Sequence, residues 1–296
     1  MSQLGREQNR AAPRCSVVVP VYRHWARIPA LLYCLEAQSL PRDAFEIILV
    51  NNEPEADLPA LPEGVRLVEC SVPGSYVARN RGAAVSRGEV LAFTDADCRP
   101  EPEWLAAGLA AAGTPPVQLV AGAIRVEKVS AQPSRWEIYD AAMALPQRRY
   151  AREGFGATAN LFVPREIFRA LGGFSEHRYS GGDRDLCLRA RAAGRALVYQ
   201  DQAVVRHPAR TTREAVIGKL RRIKGGQIGE QALLGRIKGF LRTFLPPVHA
   251  WRRALRRRDL PWRERWVVVA VQARLWPAEM AEALRLVFRG KGAERE

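Results

Sequence analysis

The sequence predicts an α/β fold in which a mostly parallel sheet is covered by helices. Residues 15–94 contain four apolar runs, and helical patterns lie between the first and second runs and between the third and fourth. Continuous apolar runs are typical of strands that are buried on both faces, as in parallel sheets. The order strand, helix, strand, strand, helix, strand is typical of α/β architectures. A strongly basic C-terminal segment adds a helical tail to the predicted fold.

The predicted strands of the first half are the runs CSVVVPVY (15–22), FEIILV (45–50), VRLVEC (65–70) and EVLAFT (89–94). A helix is predicted over 27–38, because its isoleucine and leucines recur at helical spacing. A second helix is predicted over 76–88, and Gly88 is expected to end it.

The second half mixes helices and strands less regularly. Helices are predicted over 102–113, 134–145, 165–173 and, after a short loop, within 181–194; strands are predicted over 117–126, 157–164 and 196–200. After His207 the chain becomes helical and basic, and FLPPVH (244–249) divides this tail in two. We therefore expect a main domain over 14–210 and a basic helical tail over 211–296.

The positive charge is concentrated in the C-terminal third. The chain has a formal net charge of +15, and residues 206–296 hold 22 basic and 8 acidic residues, a net charge of +14. The usual partners of such a segment are nucleic acid or an anionic membrane surface. We expect the membrane, because neither an RNA-binding aromatic signature nor a zinc finger supports nucleic acid as a partner.

Four tryptophans accompany these basic residues: Trp251, Trp262, Trp266 and Trp276. The last three share one helical face with Ala273, and arginines flank that face. Helices of this kind lie in the membrane interface with tryptophan on the buried side. The alternative is that the tail is a solvated pair of helices packed on the main domain.

The cysteines and the apolar segments bear on the compartment. The five cysteines are widely spaced and form no CxxC pair, so we expect neither a disulfide framework nor a zinc site. The first 14 residues contain no apolar run typical of a signal peptide. The run WVVVAVQA (266–273) is much shorter than the roughly 20 residues that cross a bilayer. We therefore expect a cytoplasmic protein at the inner face of the cell membrane.

Two aspartates follow directly after the fourth predicted strand. Asp95 and Asp97 lie where the apolar run ends, and the carboxyl ends of parallel strands are where open α/β sheets bind ligands. Two carboxylates this close repel each other unless a cation lies between them. Mg²⁺ is typically held by one or two protein carboxylates together with substrate phosphates. The pair predicts a divalent-cation site; the alternative is an ordinary turn.

Three strand ends together resemble a known family. The motifs PVY, NNE and DAD follow the first, second and fourth strands, and residues 74–105 read GSYVARNRGAAVSRGEVLAFTDADCRPEPEWL. This order resembles that of the inverting family-2 glycosyltransferases with the GT-A fold, over roughly residues 14–210. The resemblance implies an enzyme that moves a sugar from a nucleotide-diphosphate-sugar to a glycan or lipid-linked hydroxyl, in cell-envelope polysaccharide synthesis.

The resemblance also implies roles for individual residues. Those expected along the nucleotide-sugar are Pro20, Tyr22, Asn51, Arg79, Asn80 and Asp95. Those expected to bind Mn²⁺ or Mg²⁺ are Asp95, Asp97 and His207. The family more often has aspartate at the position of Asn51. This difference affects which nucleobase of the donor the protein would bind. The alternatives are a turn at Asn51, a solvated helix face at Arg79 and Asn80, and a capping or packed histidine at His207.

The segment SGGDRDLCLRA (180–190) resembles the loop that carries the family's general base. Asp183 aligns with the base and Asp185 with the following acid, while Gly182 replaces a glutamate of the family pattern. Asp183 is preferred because it is expected in the loop, ahead of the helix. The alternative is that it only caps that helix.

The acceptor is expected to lie on GFGATANLFVP (154–164), with Asn160 as a polar contact, and the alternative is that this segment is an ordinary strand entry. Trp136 and Glu137 are weaker candidates for contact with the acceptor. Other functions remain open. A nucleotidyltransferase would normally have a glycine-rich phosphate loop after the first strand, which VPVYRHWARIP lacks. A nucleic-acid-binding protein that uses the basic tail, or an inactive binder of nucleotide sugars, would explain some of the same features.

Overall fold

The structure, a computed structural model, describes residues 12–55, 57–178, 180–229 and 233–288. Its strands are β1 (Cys15–Val21), β2 (Phe45–Asn51), β3 (Val65–Glu69), β4 (Val90–Thr94), β5 (Arg99–Pro100), β6 (Leu119–Glu127), β7 (Asn160–Pro164) and β8 (Leu197–Pro208). They form one sheet in the order β3-β2-β1-β4-β7-β6-β8-β5. Pairing is parallel among β3, β2, β1 and β4, whereas β7 is antiparallel to both β4 and β6. The predicted α/β fold is confirmed, with a mixed rather than a purely parallel sheet.

The α-helices are α1 (Ile28–Glu36), α2 (Ser75–Val85), α3 (Trp104–Ala112), α4 (Arg135–Met143), α5 (Gln147–Arg152), α6 (Arg165–Ala170), α7 (Gly182–Ala192), α8 (Arg213–Lys224), α9 (Leu233–Thr243), α10 (Val248–Leu255) and α11 (Trp262–Phe288). Short 3-10 turns cover Trp25–Arg27 and Arg42–Ala44, and a π-helical segment covers Gly225–Gly229. Within the described residues, no helix is long and apolar enough to span a membrane.

Three predicted boundaries are wrong. Helix α2 ends at Val85, and Gly88 instead lies against the start of β1, where a Cβ would come within 2.4 Å of the Cys15 carbonyl carbon. Strand β8 continues eight residues beyond the predicted end at residue 200, to Pro208, because backbone pairing continues through its polar middle. The tail is broken after α10 as well as at residues 244–247, so it contains more than two helices.

The chain forms two compact units that are interleaved in sequence. The first contains the described residues up to Ala123, together with Gln147–Phe174 and Leu186–Val205. The second contains Ile124–Pro146, Ser175–Asp185 and the described residues from Arg206 onward. These units do not follow the single boundary expected at residue 210, because α4 packs with the tail helices.

The first unit is built on a sheet whose central strands are buried. One face of this sheet packs Val18, Ile48 and Phe93 against the apolar side of α2, α6 and α7. The ring centroids of three phenylalanines lie 5.1–5.5 Å from one another, those of Phe93, Phe168 and Phe174. Gly82 brings α2 close to β1, because a Cβ there would lie 2.6 Å from Val18 Cγ1. This packing holds α2 beside the carboxyl ends of β1 and β4.

The second unit is a helical assembly around α11. Its core consists of three buried apolar clusters. The first contains Ala142, Ala254 and Val268, the second Val216, Val271 and Leu275, and the third Ile228, Ala283 and Leu286. The hydroxyl of Tyr139 on α4 donates to Gln272 on α11 at 2.7 Å. Burial lowers the pKa of Lys219 to about 8, and the nearby Arg210 acts in the same direction. The C-terminal helices are therefore part of a packed unit, since α11 provides much of this unit's core.

Candidate functional site

The carboxyl ends of β1, β2 and β4 lie side by side in the first unit. Val21 pairs with Asn51 in the register of β1 and β2, and Val18 pairs with Phe93 in that of β1 and β4. The residues that follow β1 and β4 therefore emerge at one edge of the sheet. This edge carries most of the predicted nucleotide-sugar residues, at the position where open α/β sheets bind ligands.

At the end of β1, Tyr22 presents an exposed ring. Its side chain is 37% exposed, and the Arg23 guanidinium carbon lies 4.9 Å from the ring centroid. Arg23 adopts a left-handed conformation with φ of 57°, and its N–H donates to the Glu53 carboxylate at 2.8 Å. Pro20, which was also predicted at this site, is half-buried within β1. The exposed aromatic face beside a cation suits a nucleobase.

At the end of β2, Asn51 is buried and its amide is partly engaged. Its NH₂ donates to Glu69 Oε2 at 2.9 Å, and its Oδ1 accepts the Glu53 N–H at 3.0 Å. An amide nitrogen has two hydrogens and the oxygen has two lone pairs. One hydrogen and one lone pair therefore remain for a ligand.

The neighbouring Asn52 has a role that the sequence analysis missed. Its amide donates to the carbonyls of Cys70 and Val72 at 2.8 and 2.7 Å and accepts the Gly74 N–H at 2.8 Å. Gly74 has φ of 144°, a conformation that glycine adopts readily. Asn52 thus fixes the loop that leads into α2, which carries Arg79. The signal in the sequence was the second asparagine after a buried strand.

Arg79 and Asp95 form an ion pair at this edge. Arg79 Nη2 lies 2.5 Å from Asp95 Oδ1; the arginine is 4% exposed, whereas the aspartate is only half-buried. A second arginine nitrogen donates to the Ser75 carbonyl at 3.3 Å, while Nε is buried with no protein partner. Arg79 therefore provides a fixed positive charge beside the first aspartate of the DAD motif. Its buried position does not agree with the alternative of a solvated helix face.

Asp95, Asp97 and Cys98 bring three potential metal-binding atoms within 4.8 Å of one another. Both carboxylates are half-buried, whereas Cys98 is buried and its thiol lies 3.9 Å from the Ala159 carbonyl oxygen. Burial raises the pKa of the Cys98 thiol, and the charges of Asp95 and Asp97 raise it further. In the absence of a cation this shift favours the protonated thiol, whereas the two carboxylates are hard oxygen donors. This donor set fits Mg²⁺ or Mn²⁺.

The amides of Asn80 and Asn160 are engaged inside the first unit. Asn80 donates to the Phe174 carbonyl at 2.8 Å and accepts the Phe174 N–H at 2.9 Å, which ties α2 to the loop after α6. Asn160 is fully buried. It donates to the carbonyls of Ala123 and Ala203, both at 2.8 Å, and accepts the Trp104 indole N–H at 2.8 Å. The predicted acceptor contact does not agree with this geometry, so Asn160 is not part of our proposal.

The predicted base lies in the second unit, at the start of α7. Asp183 was expected in the loop before the helix. The helix begins at Gly182, so Asp183 instead lies in its first turn. Asp183 Oδ1 accepts the Arg184 N–H at 2.8 Å. Asp185 pairs with Arg178 at 3.5 Å. Both aspartates are half-buried.

His207 lies inside β8 and not after the last strand. It is buried, and its Nδ1 is 2.8 Å from the Pro208 carbonyl oxygen. An Nδ1–H that donates to this carbonyl places the ring's lone pair on Nε2, which is the tautomer used by many metal-binding histidines. The role of His207 as a ligand stays a prediction.

The two predicted acceptor residues on α4 take part in the packing of the second unit. Trp136 is half-buried and packs against the Val216, Val271 and Leu275 group. Glu137 is buried and accepts the N–H groups of Val129 and Ser130. Both positions therefore have a structural role, and the acceptor contact at Trp136 stays a prediction.

Comparisons with known proteins bear on the family of this chain. The family described as "Glycosyl transferase family 2" matches residues 16–172. "Glycosyltransferase AglE" of Haloferax volcanii is 30% identical over 225 residues, which cover 73% of each chain. "Succinoglycan biosynthesis protein ExoM" of Rhizobium meliloti is 27% identical over 222 residues, 70% of this chain and 72% of that protein.

The fold also resembles a solved structure, the mannosyltransferase PcManGT from Pyrobaculum calidifontis in complex with GDP-Man and Mn²⁺. The TM-score is 0.61 at 17% sequence identity, and the alignment covers 95% of this chain and 89% of the other. At this identity the likeness establishes the fold alone, which is of the GT-A type.

Proposed function

Because this chain belongs to glycosyltransferase family 2, we propose that it moves a sugar from a nucleotide-diphosphate-sugar to an acceptor hydroxyl, with inversion and with a divalent cation. One observation carries this proposal. The buried Arg79 and the aspartates Asp95 and Asp97 converge at the carboxyl edge of the sheet. A fixed guanidinium together with hard oxygen ligands suits a diphosphate and its cation.

The donor is bound by the first unit. The exposed Tyr22 ring stacks against the base, and the amide of Asn51 hydrogen-bonds its polar edge. The Arg79 guanidinium faces the diphosphate, since its ion pair with Asp95 holds it at the carboxyl edge of the sheet. The solved complex of PcManGT with GDP-Man and Mn²⁺ supports a donor of this chemical class.

Asp95 and Asp97 hold the cation, and His207 is proposed as a further ligand on the basis of the family resemblance and its tautomer. When bound, the cation stabilises the negative charge that develops on the departing nucleoside diphosphate. Asp95 holds Arg79 in place as well, so that two positive groups face the leaving phosphates.

Asp183 is the proposed general base. As the acceptor oxygen bonds to the anomeric carbon, its proton passes to the Asp183 carboxylate, and the bond between that carbon and the diphosphate oxygen breaks. A single displacement of this kind inverts the anomeric centre and needs no covalent nucleophile on the enzyme. Asp185, whose carboxylate pairs with Arg178, is the second candidate for this role.

The proposed acceptor is a glycan or lipid-linked sugar in cell-envelope polysaccharide synthesis. The name of ExoM, a succinoglycan biosynthesis protein, supports this class. The net charge of +14 on residues 206–296 supports a peripheral position on an anionic membrane surface, which for such an acceptor is the cytoplasmic face.

A thermal-shift screen tests the proposed donor and cation together. We expect one nucleotide-diphosphate-sugar to raise the melting temperature by roughly 5 °C at saturating concentration, and only with Mn²⁺ or Mg²⁺ present. The free sugar and the nucleoside monophosphate are matched controls that lack the diphosphate, and they should give little shift. Equal stabilisation by the donor in the presence of a chelator would contradict the metal dependence.

A further inference from the structure

A row of apolar side chains is exposed along α9 and the start of α10. The row consists of Ile237, Leu241, Phe244, Leu245 and Val248, and we call it the α9 strip. Leu241 and Leu245 are the most exposed of these, at 61% and 67%. Ile237 and Leu241 lie on one face of α9, Phe244 and Leu245 lie in the break that follows it, and Val248 begins α10. A group of exposed apolar side chains of this size is uncommon unless it meets a partner.

The opposite side of α9 is anchored to the core of the second unit. Phe240 packs against Ile228, Ala283 and Leu286. The Thr243 carbonyl accepts the Trp276 indole N–H at 2.8 Å, and its hydroxyl accepts from Lys224 at 3.0 Å. These contacts fix the rotation of α9 about its axis. The exposure of the α9 strip therefore follows from the packing of the helix.

The segment of the sequence that carries the α9 strip is strongly basic. Residues 233–258 contain eight basic residues and no acidic residue. The basic residues are Arg236, Lys238, Arg242, Arg252, Arg253, Arg256, Arg257 and Arg258. This combination of an apolar face and dense positive charge is the chemistry that recognises an anionic lipid surface.

The alternative surface, the tryptophan face of α11, lacks this charge. Trp262 and Trp266 are exposed. Trp276, which was expected on the same face, instead hydrogen-bonds to Thr243. Residues 262–288 contain four arginines and three glutamates and are therefore nearly neutral. The positive charge thus favours α9 and α10 over α11.

We propose that the α9 strip inserts at the interface of an anionic bilayer while the surrounding arginines contact lipid headgroups. This inference deepens the membrane association proposed above by assigning it to one face. A second copy of the chain is a poorer occupant, because two segments that each carry eight positive charges would repel each other.

The test is co-sedimentation of the full chain with vesicles that contain phosphatidylglycerol in phosphatidylcholine, and with pure phosphatidylcholine. The variant Leu241→Gln with Leu245→Gln removes two exposed apolar groups and leaves every charge unchanged. We expect its binding to phosphatidylglycerol vesicles to weaken by about tenfold or more. The matched control, Trp262→Gln with Trp266→Gln, should bind like the unmodified chain.

Three outcomes would overturn the proposal: the leucine pair binds vesicles normally, the loss occurs only in the tryptophan pair, or the leucine pair dissociates an oligomer while vesicle binding is unchanged. Sedimentation velocity distinguishes the last of these. Thermal melting confirms that each variant is folded, which is expected because the replaced side chains are exposed. Vesicle binding does not depend on sugar transfer, so this test and that of the proposed enzyme can fail separately.

Discussion

Asp97→Ala is expected to abolish cation-dependent donor binding and to reduce sugar transfer by about 10³-fold. The reason is that Asp97 supplies a carboxylate oxygen to the cation that neutralises the diphosphate, and charge stabilisation of this kind is worth several kcal/mol in a transition state. Calorimetric titration with the donor and Mn²⁺ measures the binding, and a product assay measures the transfer.

Asp97 is a cleaner test than its neighbour. Replacing Asp95 would also leave Arg79 buried without its carboxylate, which is strongly destabilising. Asp201→Ala is a matched control, because it removes an exposed aspartate from the same unit. The control should bind the donor normally. Donor binding by Asp97→Ala that is unchanged and still dependent on Mn²⁺ would refute the assignment of this residue to the cation.

Asp183→Asn is expected to lower kcat by about 10²–10⁴-fold while donor binding stays unchanged. Asparagine has nearly the same shape but cannot take the proton of an acceptor hydroxyl. Its side-chain oxygen can still accept the Arg184 N–H at the start of α7, so the fold should survive. Steady-state kinetics gives kcat, and calorimetry with the donor and Mn²⁺ gives the binding.

Asp185→Asn is the matched comparison within the same helical turn. Its carboxylate pairs with Arg178, so the loss of its charge should affect kcat much less. If Asp185→Asn inactivates the enzyme and Asp183→Asn does not, the base is Asp185. If neither variant loses activity, the base lies outside this segment.

Much of the first unit could be predicted because its strands are continuous apolar runs. The bounds of β1, β2, β3 and β4 lie within one residue of the predicted ones. The direction of β7 could not be predicted, because an apolar run has the same composition in parallel and antiparallel pairs. The interleaved second unit was also missed, since the packing of α4 on α11 joins Tyr139 and Gln272, which are distant in sequence.

The residue types at the site were predictable, but their partners were not. Asp95 was noticed because it follows a strand, and Arg79 because it lies in a predicted helix with the family's motif. The ion pair between them forms where α2 packs on β1, with Gly82 against Val18. Asn160 was misjudged because its three partners come from distant segments of the chain. In the sequence, Asn160 follows several small residues, and without knowledge of its partners this pattern suggested a surface open to a sugar.

The most direct test of the central claim is a crystal of the full chain with its nucleotide-diphosphate-sugar and Mn²⁺, measured for anomalous scattering of manganese. We predict one strong anomalous peak in contact with an Asp97 carboxylate oxygen and with the diphosphate, and the Arg79 guanidinium beside the same phosphates. A bound donor whose diphosphate lies away from Asp95 and Asp97, with no manganese at these residues, would contradict the account.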